Sequence, residues 1–323
     1  MIIKKRKPPI EIHVLEALIR RLPPGQNKLQ AELAKSNKGF KGEKTVDRFT
    51  ATLPQNNFTI LHDLFLHNKS SSFQIDTLII SPHCIYVVEI KNFVGTVTFD
   101  LIVNQLTREH NGHVSGFRNP MIQATTNRHL LTEWLSEHNI VDIPIHPIVA
   151  ISEPSTIIRV KPAERDISES VMHGEYMPQQ IMKMEHALEG KRHAYLHQKI
   201  GTLLIAEEGT FNFDYQKKYG IQPGEIMNGV QCPRCGLIGM ERKQKSWHCT
   251  ACGEKDKKAY LTALSDYFIL VKPWITNSEC MKYLQVNSRH IVTRLLKSSD
   301  LTYDEQNKSW KPQRTRQPIQ ISS

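Results

Sequence analysis

The sequence lacks the features that mark several large protein classes. No stretch approaches the roughly 18–20 consecutive apolar residues that a membrane-spanning helix needs, and no apolar segment of a secretory signal follows the charged N-terminus. Six cysteines in 323 residues are too few for a disulfide-stapled secreted scaffold, and the sequence contains no internal repeat. We therefore expect a globular, cytoplasmic protein with no membrane partner.

Acidic residues are outnumbered by basic ones. The chain has 42 Lys and Arg against 32 Asp and Glu, which gives a net charge of +10. A basic balance of this size favours a polyanion such as nucleic acid as the partner, although a merely soluble basic protein can have the same composition. Apolar residues make up 39% of the chain, and its length allows two or three globular domains.

The central part of the sequence predicts one α/β domain. Between residues 42 and 152, apolar periodicity and turn residues give a helix, several strands, a second helix and a further strand, which is a mixed pattern around a single sheet. The predicted helices cover 42–53 and 120–137, and the predicted strands cover 58–66, 74–80, 84–91, 95–100 and 143–152. Other helices are predicted over 11–21 and near 178–188 and 192–206.

Charged side chains stand in the most strand-like and most apolar segment of the sequence. Asp76 lies in the first of two strands joined by a tight Ser81-Pro82 turn, and Glu89 and Lys91 lie at the end of the second. Because side chains alternate between the faces of a strand, Glu89 and Lys91 point the same way. Pairing of the two strands would bring Asp76 level with Glu89.

Two neighbouring carboxylates repel each other, and a divalent cation relieves that repulsion. Mg²⁺ and Mn²⁺ prefer oxygen ligands, so Asp76, Glu89 and the carbonyl oxygen of Ile90 are candidate metal ligands. Lys91 is a candidate for positioning an attacking water or for stabilising charge on a phosphate. The residues alone leave a second interpretation open, in which Lys91 forms a buried salt bridge with Asp76 or Glu89.

The order of the surrounding motifs resembles a known family. The stretches "GFKGEKTV", "IDTLIISPHCIYVVEIKNFVGTV" and "RNPMIQATTNRHLLTEWL" resemble the nuclease-related domain (NERD) over about 42–152. That family belongs to the PD-(D/E)XK nuclease superfamily. The resemblance implies a mixed central sheet flanked by helices and an in-line attack that breaks the bond to a 3′ oxygen. The sequence departs from the usual family pattern at Thr77 and Cys84, and it lacks a common Trp in the following hairpin.

The resemblance also implies a role for individual residues. Glu43 would be the helix acid near the metal, Asp76 and Glu89 the metal ligands, Lys91 the catalytic lysine and Gln123 the glutamine near the active site. From the residues alone, Glu43 and Gln123 are equally compatible with solvated positions on their helices.

Four cysteines form two close pairs, Cys232-x-x-Cys235 and Cys249-x-x-Cys252. A glycine follows each pair, as suits a turn that presents two sulfurs to one ion. Four thiolates favour tetrahedral Zn²⁺ and leave no open position for catalysis, so the spacing predicts a structural zinc ribbon. The alternatives are disulfides, unligated thiols or His248 as a competing ligand.

Trp247 lies between the cysteine pairs, close to Lys243 and Lys245. An aromatic ring beside basic groups can stack on a nucleic-acid base. The other interpretation, which we favour, packs Trp247 on the small core of the ribbon.

The C-terminal part of the sequence predicts two short helices, near 278–284 and over 288–297, followed by a β-hairpin at 301–311. This pattern resembles a helix-turn-helix, and the whole arrangement resembles longer NERD proteins of the Bacillus type. In that interpretation Arg289, His290, Thr293 and Arg294 face DNA. A small helical packing module is the alternative.

The sequence therefore predicts an α/β, PD-(D/E)XK-like nuclease with two added modules that bind DNA. A non-cleaving DNA-binding or regulatory protein is the main alternative, an RNA enzyme is a third, and nothing in the sequence indicates an oligomeric state. The predicted segments are a basic helical extension over 1–41, the nuclease-like domain over 42–152, a helical connecting region of unassigned fold over 153–229, the zinc ribbon over 230–256, the helix-turn-helix-like module over 257–311 and a disordered tail over 312–323.

Overall fold

Two compact units account for the structure. A computed structural model describes residues 1–190, 194–210 and 213–313. The first unit consists of Met1–Lys7 and Asn37–Gly209, and the second consists of Pro8–Ser36 and the described residues from Thr210 onward. The predicted six-segment organisation is finer than this division and stays a prediction. The segment predicted as an extension over 1–41 contributes residues to both units, and the predicted tail lies outside the described residues from 314 onward.

The first unit is built on two sheets. Its strands are β1 (Ile2–Lys4), β2 (Thr59–His67), β3 (Ser72–Ile80), β4 (Ile85–Lys91), β5 (Thr96–Asp100), β6 (Gln105–His110), β7 (His113–Phe117), β8 (Ile145–Ile151), β9 (Ile157–Lys161) and β10 (Val171–His173). The central sheet has the order β1-β2-β3-β4-β8-β10, and the smaller one has the order β7-β6-β5-β9. The central sheet is mixed, because β2, β3 and β4 are antiparallel whereas β4, β8 and β10 are parallel.

Helices cover both faces of the central sheet. The α-helices of the described residues are α1 (Ile10–Arg21), α2 (Asn27–Thr50), α3 (Pro120–Glu137), α4 (Met177–Leu188), α5 (His197–Ala206), α6 (Tyr215–Tyr219), α7 (Tyr260–Leu270), α8 (Asn277–Leu284) and α9 (Arg289–Lys297). Trp134 of α3 and Leu204 of α5 pack on one face, and Val46 of α2 and Ile181 of α4 pack on the other. The predicted fold class, an α/β fold with a mixed central sheet flanked by helices, is confirmed.

Two segments of the chain differ from the predictions. The helix predicted over 42–53 spans Asn27–Thr50 as α2, because the turn residues at 23–25 end the preceding helix and mostly helix-compatible residues follow. The region over 153–229, predicted as helical, also contains β9 and β10, and these strands pair with β5 and β8.

The second unit combines helices with two small antiparallel sheets. These sheets are β11–β13 (Glu241–Lys243, Ser246–His248 and Lys255–Asp256) and the hairpin β14–β15 (Leu301–Asp304 and Ser309–Pro312). One continuous apolar core joins the cysteine-bearing segment to α7, α8, α9 and Trp310 of the hairpin. None of the described helices of the chain is long and apolar enough to cross a membrane.

Candidate active site

The ends of β3 and β4 bring the predicted acidic residues together. The ladder between these strands pairs Thr77 with Val88, so its register, continued by one residue, sets Asp76 opposite Glu89. The Asp76 carboxylate accepts a hydrogen bond of 2.8 Å from the backbone N–H of Ile90. The strand pairing that the sequence suggested therefore holds Asp76 against the backbone between Glu89 and Lys91.

A local irregularity marks the position of Asp76. Ile75 and Leu78 are three residues apart and yet pack in the same core, so the alternation of β3 breaks between them. Asp63, which lies opposite in β2, has a positive φ of 56°, and the ladder skips the pair Asp63–Asp76. Positive φ is uncommon outside glycine, and such irregularities re-aim side chains at functional sites. The break separates Asp76 from the regular apolar pattern of its strand.

Lys91 contacts two of the other predicted residues. Its ammonium nitrogen lies 2.5 Å from Glu89 Oε1 and donates a hydrogen bond of 3.3 Å to Gln123 Oε1. Gln123 is placed by the start of α3, where the Asn119 side chain accepts from the Met121 N–H and Pro120 occupies the first turn. Lys91 thus connects the end of β4 to the first turn of α3.

Burial makes ionisation of the two strand acids costly. Glu89 is 2% exposed, and no described residue donates a hydrogen bond to its Oε2. Burial, together with the negative charge of Asp76, raises the pKa of Glu89 to about 8, against the opposing effect of Lys91. Burial likewise raises the pKa of Asp76, although the N–H of Ile90 opposes this shift.

Glu43 reaches the site from α2. A side chain at Gly42 would lie 2.6 Å from atoms of Asn92 and Ser152, so the close approach of α2 to these residues requires glycine. The Glu43 carboxylate accepts a hydrogen bond of 2.9 Å from Arg6. Burial raises the pKa of Glu43 to about 7, and the positive charge of Arg6 opposes that shift.

Sequence reasoning missed a second layer of polar residues around the acids. Arg6 also binds both carboxylate oxygens of Asp47, at 3.0 and 3.1 Å, and the hydroxyl oxygen of Thr77, at 2.9 Å. His62 stands opposite Thr77 in β2, and its Nδ1 lies 3.1 Å from both the Thr77 hydroxyl and Asp47. Asp47 lies four residues after Glu43, on the same face of the helix. This spacing could have predicted from the sequence that Asp47 lies beside Glu43.

The four predicted zinc ligands form one cluster. Their sulfur atoms all lie within 4.8 Å of one another, and those of Cys232 and Cys252, and of Cys235 and Cys249, are 3.6 Å apart. Tetrahedral zinc with bonds of about 2.3 Å sets neighbouring sulfurs about 3.8 Å apart, so the donor set fits zinc. All four thiols are free, and His248 is not a member of the cluster.

The knuckles that hold the cysteines have the expected backbone. Gly236 and Gly253 both have a positive φ of 76°. The backbone N–H of Cys252 lowers the pKa of the Cys249 thiol to about 7. The pKa values of Cys235 and Cys252 are raised, because burial and the neighbouring sulfurs outweigh their own backbone N–H donors. Trp247 is 1% exposed and packs in the core of the second unit, so its ring is not available to stack on a base.

The carboxylate site differs from the cysteine cluster. Among the described residues, the four cysteines are the one group of three or more His, Cys, Asp or Glu whose ligand atoms all lie this close. The carboxylate site offers Asp76 and Glu89, which are the oxygen donors that Mg²⁺ and Mn²⁺ prefer. A buried carboxylate oxygen without a donor and the raised pKa values of both acids suit a site that a cation would complete.

The residues predicted to face DNA lie on α9. Arg289, His290 and Arg294 are exposed, whereas Thr293 is half-buried. The Thr293 hydroxyl donates to the Arg289 carbonyl oxygen and accepts from the Asn277 side chain at 2.6 Å. Three of the four side chains are therefore accessible, and Thr293 holds α9 to α8.

A comparison with protein families identifies the region that carries the carboxylates. Residues 38–152 match the model of the nuclease-related domain. This NERD match covers less than half of the chain and includes all five residues predicted for the active site, whereas Arg6 precedes it. Neither a comparison with curated proteins nor one with solved structures found a match.

Proposed function

We propose that the protein is a Mg²⁺- or Mn²⁺-dependent deoxyribonuclease. The observation that carries this proposal is the meeting of Asp76, Glu89 and Lys91 at the ends of β3 and β4, inside the residues that match the nuclease-related domain. Two carboxylates with an adjacent ammonium group suit the hydrolysis of a phosphodiester bond.

The divalent cation would be held by Asp76, Glu89 and the carbonyl oxygen of Ile90. When bound, it would polarise a phosphoryl oxygen and lower the pKa of a water molecule. The N–H of Ile90 orients the Asp76 carboxylate toward β4, and the burial of Glu89 leaves one of its oxygens in need of a partner. These contacts position the two acids before any ion arrives.

Lys91 would orient the attacking water and stabilise charge that develops on the phosphate. Its hydrogen bond to Gln123 gives Nζ a second fixed partner besides Glu89. Glu43 and the Arg6 guanidinium group that donates a hydrogen bond to it would complete the active site. In-line attack would then break the bond between phosphorus and a 3′ oxygen.

The second unit would hold the substrate. Its zinc ribbon and its helix-turn-helix-like helices, including the exposed Arg289, His290 and Arg294, would contact the DNA backbone. Free cysteines fit a cytoplasmic location.

A panel of substrates tests the function and its specificity. Purified zinc-loaded protein would be incubated with linear duplex, circular duplex and single-stranded DNA and with RNA, each with Mg²⁺, with Mn²⁺ and without an added cation. We expect DNA to be cut only when the cation is present. Cleavage of RNA alone would show that the substrate is RNA rather than DNA. Cleavage of no substrate would contradict the proposal.

A non-cleaving DNA-binding protein is the second candidate. The close ion pair of Glu89 and Lys91 favours it, because an ammonium group at 2.5 Å already provides Glu89 with a cation. This candidate predicts a DNA mobility shift that needs no divalent ion, weakens steeply with salt and is never followed by cleavage.

A further inference from the structure

The guanidinium group of Arg6 lies between the helix acids and the strand acid of the candidate active site. We propose that it takes the place of a second metal ion, so that the site binds one divalent cation only. This inference rests on the proposed function, because it concerns the cation that Asp76 and Glu89 would hold.

The contacts of Arg6 are those that a second cation would need. Its side chain is 3% exposed and donates to Glu43 at 2.9 Å and to both oxygens of Asp47. On the other side it donates to the Asp76 carbonyl oxygen at 2.6 Å and to the Thr77 hydroxyl at 2.9 Å. Arginine remains charged in proteins, and its planar fork matches carboxylates, so it can neutralise this set permanently.

Charge balance supports a single further cation. Four carboxylates and two cationic side chains form the network, which leaves two negative charges when all the acids are ionised. One divalent ion balances that charge, whereas a second would leave an excess of positive charge in a largely buried site. The members are Glu43, Asp47, Asp76, Glu89, Arg6 and Lys91.

The neighbouring groups add no net positive charge to this network. Burial lowers the pKa of His62 to about 4, so its imidazole is neutral at physiological pH. Asp63 carries one further negative charge, and the ammonium group of Lys4 donates to its carbonyl oxygen, which places an opposite charge beside it. Lys4 also pairs with Glu208, so these three side chains together carry one negative charge and no excess positive charge.

Counting bound Mn²⁺ tests the inference without measuring catalysis. The full-length, zinc-loaded protein would be titrated with Mn²⁺ and followed by calorimetry and by electron paramagnetic resonance. We expect one Mn²⁺ per chain in the wild type and two in Arg6→Gln, because that change frees Glu43, Asp47 and the Asp76 carbonyl oxygen. Lys7→Gln is the matched control, since Lys7 is an exposed cation next to Arg6, and it should still bind one.

A second variant keeps the test decisive if Arg6→Gln does not fold. Because Arg6 is the partner of Glu43, Glu43→Gln should still bind one Mn²⁺ per chain, whereas loss of the ion from this variant would show that Glu43 is itself a metal ligand. Two Mn²⁺ in the wild type, one in a folded Arg6→Gln, or none in Glu43→Gln would overturn the inference alone. Absence of Mn²⁺ from the wild type would remove the proposed function itself.

Discussion

Lys91 Nζ lies 2.5 Å from Glu89 Oε1, and yet Glu89 keeps a raised pKa. The pair forms within one strand, two residues apart, so both side chains stand on the same face of β4. Burial of Glu89 and the negative charge of Asp76 together outweigh the attraction of the ammonium group. The ion pair therefore does not by itself compensate the acids, and this imbalance has measurable consequences.

The first consequence is a dependence of stability on pH. The pKa of Glu89 is about 8 in the folded protein and about 4.3 in an unfolded chain. Since the folded state holds the proton more tightly, the stability that Glu89 contributes is present below the unfolded value and is lost as pH rises toward 8. Each pH unit in that window costs at most about 1.4 kcal/mol.

Thermal unfolding of the zinc-loaded protein between pH 5.5 and 8 measures this effect. We expect Tm to fall with pH, Glu89→Gln to flatten the profile, and Mn²⁺ to raise the wild-type Tm more at pH 8 than at pH 6 because it binds the ionised acids. Glu109→Gln, a change of an exposed glutamate on β6, is the control. Parallel profiles for the wild type and Glu89→Gln would contradict the raised pKa.

The second prediction concerns zinc. Cys232 and Cys249 share one apolar core with α7, α8 and α9, so loss of the metal should loosen the helices of the second unit as well as the ribbon. We expect one zinc per chain in the wild type. Cys249→Ser should lose zinc, part of the helical circular-dichroism signal and, with the fold of this unit, affinity for DNA.

Elemental analysis, circular dichroism and a DNA mobility shift provide the three readouts. Cys84→Ala is the control because Cys84 lies in the first unit and outside the cluster, and it should retain zinc. A zinc-free Cys249→Ser protein with wild-type stability and DNA affinity would show that the cluster is not structural.

The third prediction concerns the exposed face of α9. If Arg289 and Arg294 each contact a phosphate, replacing either with Ala should weaken DNA binding and reduce the slope of log K against log salt by about one. Lys217→Ala removes an exposed charge from α6 and should leave the slope unchanged. Unaltered affinity and slope in both arginine variants would exclude α9 as the DNA-binding helix.

Local patterns were sufficient to predict much of the fold. The strands predicted over 74–80 and 84–91 are Ser72–Ile80 and Ile85–Lys91, and the C-terminal helices agree within one residue. Alternating apolar residues and the cysteine spacing each involve only a few neighbouring positions. The same holds for the N-caps that the structure shows at Thr276 of α8 and Ser288 of α9. Short-range signals of this kind need no tertiary information.

The sequence could not reveal what depends on distant partners. Arg6 stands in a run of lysines that resembles a solvated charged segment, and its partners Asp76 and Thr77 are 70 and 71 residues away. β1 and β10 have only three residues each, too few to show periodicity, and they are defined by pairing with β2 and β8. The break in alternation at Asp76 likewise depends on the neighbouring strand.

Cleavage of DNA by variants of the site tests the central claim most directly. Wild type, Asp76→Ala and Lys91→Ala would be compared on the same linear duplex with Mg²⁺ or Mn²⁺, with Lys69→Ala as the control because Lys69 is exposed on a loop. We expect Lys69→Ala to cut at the wild-type rate and the two site variants to lose at least about 100-fold. Equal cleavage by Lys91→Ala and the wild type would contradict the proposed active site.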